Sequence, residues 1–314
     1  MRKLSFLFVA IILSSTISAQ ELSGSYLFAQ RDTCDLYLDV YHPAPGSQTQ
    51  LDGVTKPTIL FVFGGGFITG SRNDPFYDPW FKLLTDDGYG VVSIDYRLGL
   101  KGIPMRFDLF HLVRSAKHTK RAVDSGVEDV FEAIRFISDN SAKLGIDPGN
   151  IVIAGSSAGA MISLSSMLET CSPTERTAIL PEGFRFKGLM SFAGGVMSST
   201  GVPEYQSEPA PQLLLHGTAD GAVAYDKIAF GRLGLYGSSS LVEKVFSKKG
   251  YVYEIYRYIG HNHDIAAHFV ATWPVQRKFL ELNVIKGMRR TIDATLDDPT
   301  VPKWESVDLG QIYK

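Results

Sequence analysis

Short, almost wholly apolar runs alternate along the chain with longer stretches in which apolar residues return every three or four positions. The short runs are 58–63, 91–96, 151–155, 188–193, 212–216 and 251–259. Their length and composition predict strands buried on both faces, as in a parallel sheet. Residues 36–41 alternate apolar and polar side chains instead, which predicts a half-buried strand. His42-Pro43-Ala44-Pro45-Gly46 then breaks it into a turn. The longer stretches predict helices at 76–87, ended by Gly88, at 127–144, stopped by Gly145, at 158–168, and at 264–282. Alternating strands and helices predict an α/β domain, with a mostly parallel central sheet and helices on both faces.

Composition changes this picture little. The 314 residues are 45% hydrophobic and 20% charged, the balance of a globular chain with a sizeable core. A net charge of −2 offers no basic field for nucleic acid or an anionic membrane. The N-terminus is different in kind. Arg2 and Lys3 precede an apolar run at 4–13, and small residues lead to Ser18-Ala19-Gln20. This layout predicts a signal peptide at 1–19 and an exported mature chain. The run is too short to span a bilayer, and no later segment is apolar enough to do so.

No interdomain linker appears, so 20–314 reads as one domain. Residues 98–125, rich in Arg, Lys and His, fit the alternation poorly. They read either as a lid or cap insertion or as a solvated excursion. The tail at 283–314 carries no motif; packing on the body and pairing with a second copy both stay open. Cys34 and Cys171 have no metal-ligand spacing, and the sequence leaves open whether they pair.

Four segments carry candidate chemistry. Gly155-Ser156-Ser157-Ala158-Gly159 has the G-x-S-x-G spacing of a nucleophile elbow, with a predicted strand leading in and a predicted helix leading out. Ser157 then stands at a helix N-terminus, where the dipole favours developing negative charge. Phe63-Gly64-Gly65-Gly66-Phe67 follows the first buried run, and such glycines leave backbone N–H groups able to face an oxyanion. Asp220 ends His216-Gly217-Thr218-Ala219-Asp220, just beyond one strand. His261 and His263 stand in Gly260-His261-Asn262-His263-Asp264, just beyond the next. Residues past the ends of parallel strands converge on one sheet edge, so Ser157, Asp220 and one of these histidines should meet. His263 is the preferred base, with His261 as the alternative. Asp264, beside His263 on the same loop, reads as a helix cap rather than the acid. His216 reads as a packing or hydrogen-bonding residue. No metal spacing, phosphate loop or dinucleotide fingerprint appears, so neither metal nor cofactor is expected.

With the order Ser, Asp, His, these segments resemble the α/β-hydrolase superfamily, and within it the carboxylesterase and lipase group that carries an His-Gly-Gly-Gly loop. The resemblance runs from about 36 to 282. It takes in Leu38-Asp39-Val40-Tyr41, Ser93-Ile94-Asp95-Tyr96-Arg97 and Gly145-Ile146-Asp147-Pro148. It implies an oxyanion hole from the N–H groups of Gly65, Gly66 and Ala158. It further implies a serine carboxylesterase acting through an acyl-enzyme on a small-molecule or carbohydrate-linked ester. A peptidase or amidase with the same triad, or a non-catalytic binding protein on the same fold, are the alternatives. One departure stands out: Phe63 occupies the position where the group often has histidine, which leaves open what holds the glycine loop.

Overall fold

The computed structural model describes residues 22–106 and 111–305. The expected signal peptide at 1–19 lies outside the described residues, as do 107–110 of the candidate lid and 306–314 of the tail. In chain order the strands are β1 (Gly24–Arg31), β2 (Cys34–Tyr41), β3 (Gln50–Leu51), β4 (Val54–Thr55), β5 (Thr58–Val62), β6 (Gly90–Ile94), β7 (Ile151–Ser156), β8 (Gly188–Phe192), β9 (Gly195–Ser198), β10 (Gln212–Gly217), β11 (Lys227–Phe230), β12 (Leu233–Gly237), β13 (Tyr253–Tyr258) and β14 (Ile292–Leu296). Nine of them form one sheet in the order β1-β2-β6-β5-β7-β8-β10-β13-β14. The β1–β2 and β2–β6 pairs are antiparallel and the rest run parallel. The central strands are buried on both faces, which is why they read as unbroken apolar runs.

Four helices flank the first half of this sheet: α1 (Asp78–Asp86), α2 (Leu112–Asp139), α3 (Ser141–Leu144) and α4 (Ala158–Cys171). The chain steps from β5 to β6 in one direction across the sheet, then from β6 back past β5 to β7. Right-handed crossovers therefore put α1 and α2 on opposite faces. On the α1 face, Phe61 presents its ring to Trp80 and Phe81, and Trp80 Nε1 donates to Gln276 Oε1 at 2.7 Å. On the α2 face, a Cβ at Gly126 would sit 2.4 Å from Ile162 Cδ1, so this glycine lets α2 lie close against α4. The reversal of direction around β5 makes the crevice beyond the ends of β5 and β7 a switch point, the place where open α/β sheets bind ligands.

Two expectations need correction. The helix expected at 127–144 begins at Leu112 and runs 28 residues, so residues 112–125 of the candidate lid are its first half. Its polar face is dense in Lys, Arg and His, which hid the period there. The helix expected at 264–282 is not continuous. A 3₁₀ turn (His263–Ala267) comes first, then an α-helix (Trp273–Phe279) and a π turn (Leu280–Ile285). Pro274 lies in the first turn of the α-helix, and a proline further inside would break it. The tail at 283–314, whose place was left open, packs on the body: β14 pairs with β13 and extends the sheet. A second, three-stranded sheet, β11-β12-β9, was not foreseen. Cys34 is exposed and Cys171 buried, and both are free thiols. No helix among the described residues is long and apolar enough to cross a membrane.

Candidate active site

Ser157 joins β7 to α4 with φ 51° and ψ −115°, a conformation that a residue with a Cβ adopts only under strain. The flanking glycines make it attainable. A Cβ at Gly155 would lie 2.3 Å from Gly159 O, and one at Gly159 would lie 2.0 Å from Val62 O. Elbow and glycine loop therefore touch backbone to backbone. The half-buried Ser157 hydroxyl donates to His263 Nε2 at 2.7 Å. On the other side of the ring, His263 Nδ1–H donates to Asp220 Oδ2 at 2.8 Å. Of the two candidate bases, the structure thus brings His263 to the serine.

Asp220 is buried and well supplied with donors. Its Oδ1 accepts from Ala222 N at 2.9 Å and Val223 N at 3.0 Å. Its Oδ2 also meets His216 Nε2 at 3.1 Å. That nitrogen faces a second acceptor, Val223 O at 3.0 Å, so it carries the proton. His216 is buried and hydrogen-bonded, as expected. Burial alone pushes the Asp220 carboxyl upward. The hydrogen bonds from His216 and His263, and the charge these rings carry when protonated, outweigh it and hold the group well below the usual carboxylate range. Asp220 is therefore an anion at neutral pH, able to fix the His263 tautomer.

The loops carrying these residues are tied together. Ala219 N donates to His261 O at 2.9 Å, and Thr218 N to Tyr258 O at 3.0 Å. A Cβ at Gly217 would fall 2.3 Å from Asn262 O. Ser156 Oγ donates to Ala266 O at 2.7 Å, linking the elbow to the turn that bears His263. Ser156 was invisible as a functional residue in the sequence, where it is the variable position of the motif.

His261 turns the other way. It is 1% exposed, and its Nδ1 lies 2.8 Å from Asp264 Oδ2. Asp264 is not the helix cap expected: Asn262 caps the turn, its Oδ1 accepting from Asp264 N at 3.0 Å, while the Asp264 carboxylate points inward. That carboxylate also meets His268 Nε2 at 3.3 Å and accepts from Trp304 N at 3.2 Å. Neither His268 nor Trp304 belonged to any motif.

The expected oxyanion donors divide. Gly66 and Ala158 line the same cavity as Ser157 and His263, whereas Gly65 does not. Gly65 has φ +121°, and its carbonyl accepts from Ile68 N and Thr69 N, both at 3.1 Å, which shapes the loop. Phe63 holds that loop in its own way. Its ring stacks on Tyr96 at 4.4 Å, and its carbonyl accepts from Tyr96 Oη at 3.1 Å. Gly64 N donates to Tyr77 Oη at 3.3 Å. Burial pushes the Tyr77 hydroxyl up to about 12, so it stays protonated.

The cavity measures about 150 Å³. Its walls are mainly apolar: Phe67, Leu112, Ala116 and Met161 on one side, and Met197, Ile228, Phe230 and Leu235 of the small sheet on the other. Among the described residues, no Lys, Arg, Asp or Glu lines it.

Comparison with known proteins agrees with this architecture. The chain is similar to the para-nitrobenzyl esterase of Bacillus subtilis (strain 168), 31% identical over 147 residues, 47% of this chain and 27% of that one. It is also similar to the fumonisin B1 esterase of Sphingopyxis macrogoltabida, 32% identical over 139 residues, 44% of this chain and 23% of the relative. These alignments thus span about a quarter of the relatives' own length. Among solved structures, the native esterase Est2 of Thermogutta terrifontis matches with a TM-score of 0.55 over 82% of this chain and 91% of that one, at 20% identity, which speaks for the fold. The model of the carboxylesterase family matches residues 13–189, which contain the glycine loop and the elbow but neither Asp220 nor His263. That stretch is more than half of the chain, which belongs to the carboxylesterase family.

Proposed function

We propose that the protein is a serine carboxylesterase that cleaves esters of small, uncharged acyl groups. The observation that carries this reading is the run of hydrogen bonds from Asp220 through His263 to Ser157, opening on an apolar cavity. His263 accepts the Ser157 proton as Oγ attacks the ester carbonyl, and Asp220 steadies the imidazolium that results. Ala158 N–H, at the first turn of α4, with Gly66 lining the same cavity, faces the oxygen on which charge develops. The protonated His263 then gives its proton to the departing alcohol. Water, activated by the same ring, releases the acid from the acyl-enzyme.

The cavity favours this substrate class. A cavity of about 150 Å³ with apolar walls admits benzene in a protein core, so an acyl group from acetyl to benzoyl size fits. A charged acyl chain would lose its hydration without an ionic partner. The alcohol half, carbohydrate-linked in an exported enzyme, stays at the mouth. The test is hydrolysis of p-nitrophenyl esters from acetate to octanoate by the native protein and by Ser157→Ala. The reading predicts rates that fall beyond short acyl chains, and a loss in kcat of about 10⁶ in the variant. Equal rates in the two proteins would overturn it.

A further inference from the structure

The loop that carries His263 holds a second cluster on its inner side. His261 Nδ1, an Asp264 carboxylate oxygen and His268 Nε2 lie within 4.8 Å of one another, and all three residues are buried. Their sequence spacing of three and then four residues brings successive turns of the loop to one point. The hydrogen bonding there is lopsided. Asp264 Oδ2 faces three nitrogens, of His261, His268 and Trp304, whereas Asp264 Oδ1 is equally buried and has no partner. A carboxylate held only by N–H donors would spread them over both oxygens. Two imidazoles and one carboxylate converging in a dry interior are the donor set of a borderline-soft divalent cation.

We propose that His261, Asp264 and His268 bind one first-row divalent cation, zinc foremost, through Nδ1, the carboxylate and Nε2. Ligand atoms around a tetrahedral zinc stand roughly 3.3 Å apart, given metal–ligand lengths of about 2.0–2.2 Å. The His268–Asp264 separation of 3.3 Å already meets this, and the His261–Asp264 separation of 2.8 Å has to open by roughly half an ångström. Asp264 Oδ1 gains its missing partner as a second carboxylate contact. Trp304 supplies outer support: its N–H holds Oδ2, and its half-exposed ring lies 4.3 Å from the His268 ring. Bound there, the cation staples the 261–268 loop to the tail and takes no part in acyl transfer. The site stands independently of the esterase reading.

The experiment is equilibrium dialysis of the full chain, first stripped with chelator and then titrated with zinc chloride, with the bound metal counted by mass spectrometry and the melting temperature followed alongside. One zinc per chain, a raised melting temperature, and a loss of affinity in His261→Ala/His268→Ala beyond the roughly 10–100-fold of outer-shell changes are expected. The control variant His118→Ala, on the α2 surface, keeps the native affinity. If the double variant does not fold, X-ray absorption at the zinc edge of the native protein decides: a shell containing two imidazoles supports the site. Absence of stoichiometric binding, binding unchanged in the double variant, or a shell without paired imidazoles overturns it.

Discussion

One loop, 260–268, builds two carboxylate–imidazole clusters, and they differ in what surrounds the same chemical groups. On the outer side, His263 bridges Asp220 and Ser157. On the inner side, His261 and His268 share Asp264. Asp220 has its second oxygen filled by two backbone N–H groups, so its charge is fixed and its only mobile partners are rings. Asp264 has no such backbone support on Oδ1. The outer ring reaches a hydroxyl held in a strained elbow beside an open cavity. Among the described residues, the inner rings reach no hydroxyl, and Trp304 lies against the His268 ring. A histidine–aspartate pair becomes a base only when it has a nucleophile on its far nitrogen and room for a substrate beyond. Otherwise it is a structural or ligating pair.

Exchanging each carboxylate for its amide is the sharpest way to break this comparison. Asp220→Asn should keep the packing but misplace the His263 proton, lowering kcat by about 10⁴ on p-nitrophenyl acetate. An Asp220→Asn enzyme within tenfold of native would merge the two clusters into one class. Asp264→Asn, at the other cluster, should lower kcat by less than about tenfold while costing about 1–3 kcal/mol in urea unfolding. A collapse in kcat with unchanged stability would mean that the inner cluster takes part in turnover.

A smaller effect separates the two states of Asp220 itself. Its carboxyl is held below the ordinary range in the fold. The stability it contributes is therefore complete above the unfolded value of about 3.9, and is lost as pH falls through the lowered folded value. Unfolding free energies between pH 5 and 2 should fall less steeply in Asp220→Asn than in the native protein. Parallel curves would show that other groups carry the acid sensitivity.

Most of the sheet and the outer cluster were legible in the sequence, for reasons that can be named. Gly155 and Gly159 are confined to glycine by backbone contacts of 2.3 and 2.0 Å, so the elbow leaves a local signature. Strands buried on both faces leave another, as unbroken apolar runs. Which histidine serves as base was harder to read. His261 and His263 are two residues apart in a turn, and their directions are set by Asn262 capping and by packing from distant segments. The inner cluster needs His268 and Trp304 as well, and no local pattern connects them. Strand β14 alternates apolar and polar residues but over five positions only, and the short glycine-broken strands of the small sheet carry weak periodic signals. Yet that small sheet supplies one wall of the cavity beside Ser157.

The central claim is that Ser157 alone is raised to a nucleophile, by His263 and Asp220. It is tested most directly by incubating the native protein with a fluorophosphonate ester and mapping the adduct by peptide mass spectrometry. The account predicts one adduct per chain, on Ser157, formed in step with loss of esterase activity and absent in the Asp220→Asn enzyme over the same interval. Full inactivation with the label on any other residue, or turnover that persists after Ser157 is fully labelled, would contradict it.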